Sequence, residues 1–567
     1  MDNRRIFLWV ALFVVGFLLF QAWQKEHMQQ PAPAAAAQQQ QQTATVSNGA
    51  THNNSVPSVL PTTASDTSSS SVPATVKAST SSAGVIHVKT DVLDITIDKR
   101  GGGIVGSELS KYPQALGSKQ SVQLLNQNGE TYYTAASGIT GTQGPDTQKN
   151  GPVVYQTTQS SYTLKSGQKS LDVNLVWRGN GLLVTKTYTF RPDHYEVGMT
   201  YKVQNLSAKS WSGRMYLQLL RKEPPKNASM LHYAMFTGAA VSSPAETYQK
   251  FSFSKLGEGK LNQAAAGGWA AMVQHYFLSA WVPMPNQSFH YSSSEMANGT
   301  YTVNLYGPEL TAAAGKTVTT AAKFYTGPAI AKRLDGVAPH LSMTIDYGWL
   351  WFISIILFWI MTHIYAVVGN WGIAIILLTI IIKLVFFHLS TKSYRSMAHM
   401  RRLQPRMAQL KERHGDDKQA FSKAMMEMYK KEKVNPVGSC LPMLIQIPFF
   451  IALYYMIIES VQLRQAPFFL WIHDLSIADP YYVLPIIMGA LMFLQQRLNP
   501  PAPDPMQQKI MMFLPVVFTI FFLTFPAGLV LYWITNTGFG MVHQWWCLRS
   551  VTKYENEHKG HHRPMKK

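Results

Sequence analysis

Two hydrophobic patterns divide this chain. From about Val85 to about Tyr325, short runs alternate apolar and polar residues between clusters of Gly, Asn, Asp and Pro, as in Val92 to Ile97, Leu171 to Val176, Leu183 to Phe190 and Tyr195 to Val203. A period of two puts one face of a strand into a core, so this region predicts many antiparallel strands in a sandwich. Elsewhere the apolar residues run on unbroken: Ile6 to Trp23, Trp349 to Val368, Ile373 to Leu389, Leu441 to Ile458, Tyr482 to Leu498, Ile510 to Phe525 and Leu529 to Trp546. Several approach the length that crosses about 30 Å of hydrocarbon. The predicted fold class is a polytopic α-helical membrane protein with a large external all-β domain.

Arg4 and Arg5 precede Ile6 to Trp23, the order of a secretory signal. The apolar core exceeds the roughly 7–15 residues of a cleavable one and ends in Gln21, Trp23 and Lys25 without a small-x-small site. Residues 1–24 therefore predict an uncleaved anchor with its start in the cytoplasm. Residues 25–84 are rich in Gln, Ala, Ser, Thr and Pro and bury too little to offset chain entropy, which predicts a tether. The β domain, 85–340, follows one inside-to-outside crossing and is expected outside. A helical core at 341–548 and a basic cytoplasmic tail at 549–567 complete the domain plan.

The formal charge is +20, but the basic residues track the apolar runs rather than forming a patch on a soluble domain, which argues against nucleic acid as substrate. If Trp349 to Val368 and Ile373 to Leu389 both crossed, the following loop would be external. Yet between Lys392 and Lys433 that loop carries twelve Lys or Arg against five Asp or Glu. Positive-inside topology therefore keeps one run from crossing. Trp349, Trp351, Trp359, His363 and Tyr365 favour an interface, so 349–368 is predicted to lie flat on the external side. The crossings at 373–389, 441–458, 482–498, 510–525 and 529–546, with the anchor, make six, and both termini are inside.

Lys383 interrupts one of these runs, where a lysine at a helix centre costs about 2.5–3.5 kcal/mol. Either it faces a polar interior or its stem snorkels past Leu389, roughly 9 Å away at about 1.5 Å per residue. Thr379, one turn earlier, and Gln446 either line the same cavity or make helix–helix hydrogen bonds. In the basic loop, 392–433, Met397, Met400, Leu403, Met407 and Leu410, then Phe421, Ala424, Met425, Met428 and Tyr429, recur at intervals of three and four around a break near His414 and Gly415. The two faces of this hairpin pack on each other, or their methionines receive apolar segments or anionic lipid.

Cys440 and Cys547 lie in or beside apolar runs, so the soluble part has no disulfide or cysteine metal framework. His561 and His562 read as solvated tail. P-loop, HExxH and GxSxG signatures and paired intramembrane carboxylates are missing, and no cofactor is expected. Gly101 to Gly103 lack the GxGxxG spacing and read as a turn.

The stretches Gly369-Asn370-Trp371-Gly372, Leu403-Gln404-Pro405, Cys440-Leu441-Pro442, Gln446-Ile447-Pro448, Leu470-Trp471-Ile472-His473-Asp474-Leu475, Asp479-Pro480-Tyr481-Tyr482, Asp504-Pro505-Met506-Gln507-Gln508-Lys509 and Pro526-Ala527-Gly528-Leu529-Val530-Leu531-Tyr532, with the lysine-bearing helix, closely resemble the bacterial YidC family of membrane protein insertases. The likeness spans about Asp346 to Leu548, and the anchor, tether and β-rich region resemble the family's long Gram-negative form. It implies an external β-supersandwich and a non-enzymatic insertase and chaperone of the inner membrane. It further implies a hydrophilic groove open to cytoplasm and lipid, with Lys383 as its basic residue, Thr379 as a polar position, and Phe450, Tyr532 and Trp533 on the substrate side. The hairpin methionines would recruit nascent inner-membrane proteins. The Sec translocon, the ribosome and membrane lipids are the further implied partners. His388 stands in place of a proline and Trp533 in place of a tyrosine, which departs from that pattern. The competing readings are a secondary transporter or channel for an anionic solute, which usually shows a repeat not found here, and a sugar-acting enzyme, for which Glu196 and Glu223 lack paired spacing.

Overall fold

The computed structural model describes residues 84–127, 129–141, 143–147, 151–225, 236–414, 417–432, 441–499 and 505–559. The predicted anchor, nearly all of the tether, Cys440, the start of the loop after Asn499 and the end of the basic tail lie outside them.

The alternating segments form strands close to where their period places them: Leu93–Asp98, Leu171–Gly179, Leu182–Phe190 and Glu196–Asn205. They belong to a ten-stranded and an eight-stranded sheet. Trp211–Lys222 lies inside the larger, between Tyr133–Gly141 and Thr300–Ala312. Thr317–Pro328 lies inside the smaller, between Phe277–Pro283 and Glu196–Asn205. The inner faces meet through Ser107 Oγ and Thr326 Oγ1 at 3.0 Å and through Trp281 Nε1 donating to the Gln218 carbonyl at 3.1 Å. Gly101 and Gly102 take φ of 71° and 63°, the left-handed region a turn requires, so they are the predicted turn. Two short helices, α1 (Phe253–Gly257) and α2 (Ala331–Val337), accompany the sheets.

The helical part begins with α3 (Trp351–Val368). Gly369, at φ 67°, ends it by donating its N–H to the Tyr365 carbonyl, and the Asn370 side chain then caps α4 (Trp371–Val385) by accepting from Ile373 N at 3.1 Å. A two-residue stop and start thus separates the two helices. α3 buries Ser354, Leu357 and Met361 and leaves Trp351, Phe352, Ile355, Ile356 and Trp359 exposed. Among the described residues it is the one unbroken helix long and apolar enough to cross a membrane by length and composition. Length thus permits a crossing where charge parity predicts a flat helix.

The predicted span 373–389 ends early: α4 stops at Val385 and α5 (Phe387–Arg402) leaves at 69°. Hydrophobicity cannot report a bend made without proline or glycine. The first predicted hairpin helix also divides, at Leu403, so Met397 and Met400 belong to α5 and Met407 to α6 (Gln404–His414). α7 (Lys418–Lys431) follows, its start capped by Asp417, which accepts from Gln419 N and Ala420 N at 2.9 and 3.0 Å. The hairpin of α6 and α7 belongs to a compact unit of its own. α8 (Leu441–Glu459), α9 (Val483–Leu498) and α10 (Pro505–Phe522) agree with the predicted spans to within a few residues. α11 (Ala527–Lys559) runs on through the first part of the predicted tail.

The β domain and the remaining helices form a single unit. Arg464, after α8, donates to the carbonyls of Pro113 and Gln114 at 2.8 and 3.0 Å, and the His275 ring bonds the Ile458 carbonyl at 2.9 Å. Asp479, almost fully buried, accepts from Trp471 Nε1, Tyr481 N and Leu484 N and so anchors the start of α9.

Candidate substrate groove

Position on α4 decides how Lys383 faces. The buried stripe of this helix is Ala374, Ile375, Leu378, Thr379, Ile382 and Lys383, while Leu377, Ile381, Leu384 and Val385 are exposed. Lys383 is thus on the protein-facing side, 7% exposed, and does not snorkel outward. Its Nζ donates to Gln446 Oε1 on α8 at 3.4 Å. A β-carbon added at Gly540 on α11 would lie 3.3 Å from Tyr394 Oη, 3.6 Å from Gln495 Nε2 and 3.8 Å from Lys383 Nζ, so α5, α9 and α4 converge there. No carboxylate pairs with the ammonium among the described residues. An ammonium carries three donors, and here one long bond to a neutral amide occupies it. A buried cation left without an anion is costly, which makes an incoming carboxylate a favourable partner.

Thr379 shares the stripe but donates to its own helix, to the Ile375 carbonyl at 2.7 Å. Gln446 and Phe450 stand one turn apart on α8, which joins the polar group to an aromatic wall. Phe450 meets Trp533 edge-on, centroids 4.9 Å apart at 81°, and stacks more loosely on Tyr532 at 6.1 Å. Trp533 continues the wall to Phe522 at 5.4 Å and Phe518 at 6.4 Å on α10. Tyr532 is buried; Phe450 and Trp533 are half-buried.

The five hairpin methionines do not share one surface. Met397 Sδ accepts from Gln544 Nε2 of α11 at 3.2 Å, and Met407 accepts the Tyr429 hydroxyl at 3.1 Å within the hairpin. Met400, Met425 and Met428 are half-buried. Tyr394, Gln495 and Gly540 escaped the sequence reading. Gln495 carried a signal of sorts, a polar residue near the end of an apolar run, but Tyr394 sits in a basic stretch and Gly540 has no chemistry.

Two family models match the chain in tandem, the YidC periplasmic domain over residues 85–360 and the 60Kd inner membrane protein over residues 363–555. The chain is 47% identical over 566 residues to the membrane protein insertase YidC of Coxiella burnetii, covering 99% of this chain and 98% of that protein. The chain belongs to the YidC family of membrane protein insertases. To the family's member in Pseudomonas fluorescens it is 43% identical over 554 residues, covering 97% of this chain and 98% of that one. Among solved structures it is similar to an active YidC insertase, at 16% identity and a TM-score of 0.37 over 81% of this chain and 91% of that one. YidC membership makes the β domain periplasmic and the helical part an inner-membrane unit. The two matched regions adjoin within α3.

Proposed function

We propose that this insertase moves client proteins through the site around Lys383. The ammonium, held by one weak bond to Gln446, attracts an acidic end of a nascent inner-membrane protein and draws it across. In a low-dielectric site that attraction is far stronger than in water. The client's apolar segment then slides into lipid past Phe450 and Trp533, and its transfer from water, about 0.8 kcal/mol per CH2, drives the reaction without nucleotide. The single observation that carries this reading is a cation on the protein-facing side of a membrane helix with no carboxylate beside it among the described residues.

In this reading six helices cross, α3 lies flat on the periplasmic side, both termini are cytoplasmic, and the α6–α7 hairpin meets clients at the cytoplasmic surface. The Sec translocon and the ribosome are the macromolecular partners. No catalytic residue or cofactor is involved.

The test is insertion in cells depleted of their own insertase. Lys383→Ala should reach normal membrane abundance yet insert a client with an acidic translocated end about tenfold less well, equivalent to about 1.4 kcal/mol. A matched client whose acidic end is neutralised should show little change. Equal insertion of the acidic client by both proteins would overturn the mechanism.

A further inference from the structure

We infer that His543 is a positioning residue: it clamps the bend between α4 and α5 and thereby fixes where the Lys383 ammonium sits. The inference rests on the groove mechanism proposed above. Helix bends sharper than about 20° have an identifiable cause, usually Pro, Gly or a bulge. From Ile382 to Leu389 the chain reads Ile-Lys-Leu-Val-Phe-Phe-His-Leu, with neither Pro nor Gly, and only Phe386 leaves the helix. The 69° bend must therefore be held from outside.

One side chain of α11 supplies three contacts to the first two turns of α5. The His543 ring lies parallel to Phe387 at 4.1 Å and 3°, and it stands edge-on to Tyr394 at 5.1 Å and 85°. Its Nε2 is 2.9 Å from Thr391 Oγ1. That hydroxyl gives its proton to the Phe387 carbonyl at 2.8 Å, so it accepts from the imidazole, which assigns the proton to Nε2. Phe387, Thr391 and Tyr394 are spaced four and three apart, one face of α5. His543 is 6% exposed.

The clamp reaches Lys383 by two routes. Phe387 lies four residues beyond the lysine, immediately after the bend. Tyr394 brings its hydroxyl to Gly540, one turn before His543 on α11, where Lys383 Nζ and Gln495 Nε2 also converge. One helix thus presents both the glycine that Tyr394 and Lys383 approach and the ring that packs on the start of α5.

The full-length protein in nanodiscs, spin-labelled at Leu377 and Lys392 on either side of the bend, reports the clamp directly. His543→Leu should lengthen and broaden the distance, and His543→Gln, which keeps an N–H donor, should largely restore it. Insertion of the acidic-end client should fall about fivefold in His543→Leu, the scale of one lost buried hydrogen bond, and should recover in the Gln variant. Placed on Lys383→Ala, His543→Leu should cost nothing further. An unchanged distance overturns the clamp. A changed distance with unchanged insertion, or losses that multiply in the double variant, overturns the link to Lys383. If Lys383→Ala inserts normally, the charge mechanism fails while the distance still decides the clamp. Should His543→Leu fail to accumulate, His543→Phe is judged by the same criteria.

Discussion

Among the described residues two lysines are buried, one in each region, and they are treated oppositely. Lys186 occupies an inward position of Leu182–Phe190 and is completely buried between the sheets. Its three donors meet three carbonyls, Gly102 at 2.6 Å, Ser137 at 3.1 Å and Gly101 at 3.3 Å, and the rings of Tyr188 and Tyr201 lie 5.1 and 5.2 Å away. Buried Asp146 supplies the counter-charge and accepts from Ile139 N at 2.7 Å. The carboxylate fits because residue 138 is glycine; a β-carbon there would stand 2.3 Å from its oxygen. Burial pushes the Asp146 carboxyl up and the Lys186 ammonium down, each held partly in check by the other. Lys383, by contrast, has one neutral acceptor at 3.4 Å. The two buried charges differ in how many donors are satisfied: the first is consumed by the fold, and in the mechanism proposed above the second is left for a client.

The largest expected effect tests this contrast. Lys186→Met strands a buried carboxylate, so unfolding of the β domain should become easier by about 3–5 kcal/mol. Lys383→Met removes a cation whose one partner among the described residues is a neutral amide, and the change should stay within about 1 kcal/mol. Chemical denaturation of the full-length protein in nanodiscs, followed by the circular dichroism of its strands, measures both. Equal losses in the two variants would erase the distinction. Asp146→Leu combined with Lys186→Met should recover most of the loss, because a buried pair replaced by apolar groups is close to neutral.

The seam between the regions should respond to pH with a smaller effect. Burial pushes the His275 ring down to about 4, its bond to the Ile458 carbonyl opposing this and the Arg464 guanidinium adding to it. A base whose folded value lies below its unfolded one stabilises the fold above the unfolded value and loses that contribution as pH falls. The window thus runs from about pH 6.5 down to about 4, and the loss is about 2 kcal/mol once partial exposure is discounted. His275→Gln keeps a donor that does not titrate. The stability difference between the two proteins should therefore shift in favour of the variant as pH falls from 7 to 4.5. A constant difference would show that His275 does not titrate on unfolding.

The alternation and the long apolar runs made the two regions legible because burial imposes its period on the sequence. Lys383 was legible because it breaks such a run. Lys186 was not: in a strand a lysine ordinarily faces water, and the carbonyls that receive it come from Gly101, Gly102 and Ser137, far away in the chain. The bend after Val385 was invisible for a related reason. Its cause sits more than 150 residues later, in a histidine stacked on Phe387. Phe450, Tyr532 and Trp533 are expected on the substrate side only through family likeness, since aromatic residues in apolar spans carry no mark of the face they will occupy. Tyr394, Gln495 and Gly540 belong to three helices and become a site only by packing.

The smallest expected effect probes how free the Lys383 ammonium is. Gln446→Leu deletes its hydrogen-bond acceptor and leaves the charge in place. If the bond anchored the lysine as the carbonyls anchor Lys186, insertion of an acidic-end client would collapse as far as in Lys383→Ala. At 3.4 Å the bond is too long to contribute more than about 0.6 kcal/mol, so the loss should be about threefold or less. A client with two acidic residues in its translocated end should mask even this, because it supplies the acceptor that Gln446 no longer provides. A loss matching that of Lys383→Ala, undiminished by the second acidic residue, would mean that the amide holds the lysine in place, and the ammonium would then belong with Lys186 as part of the fold.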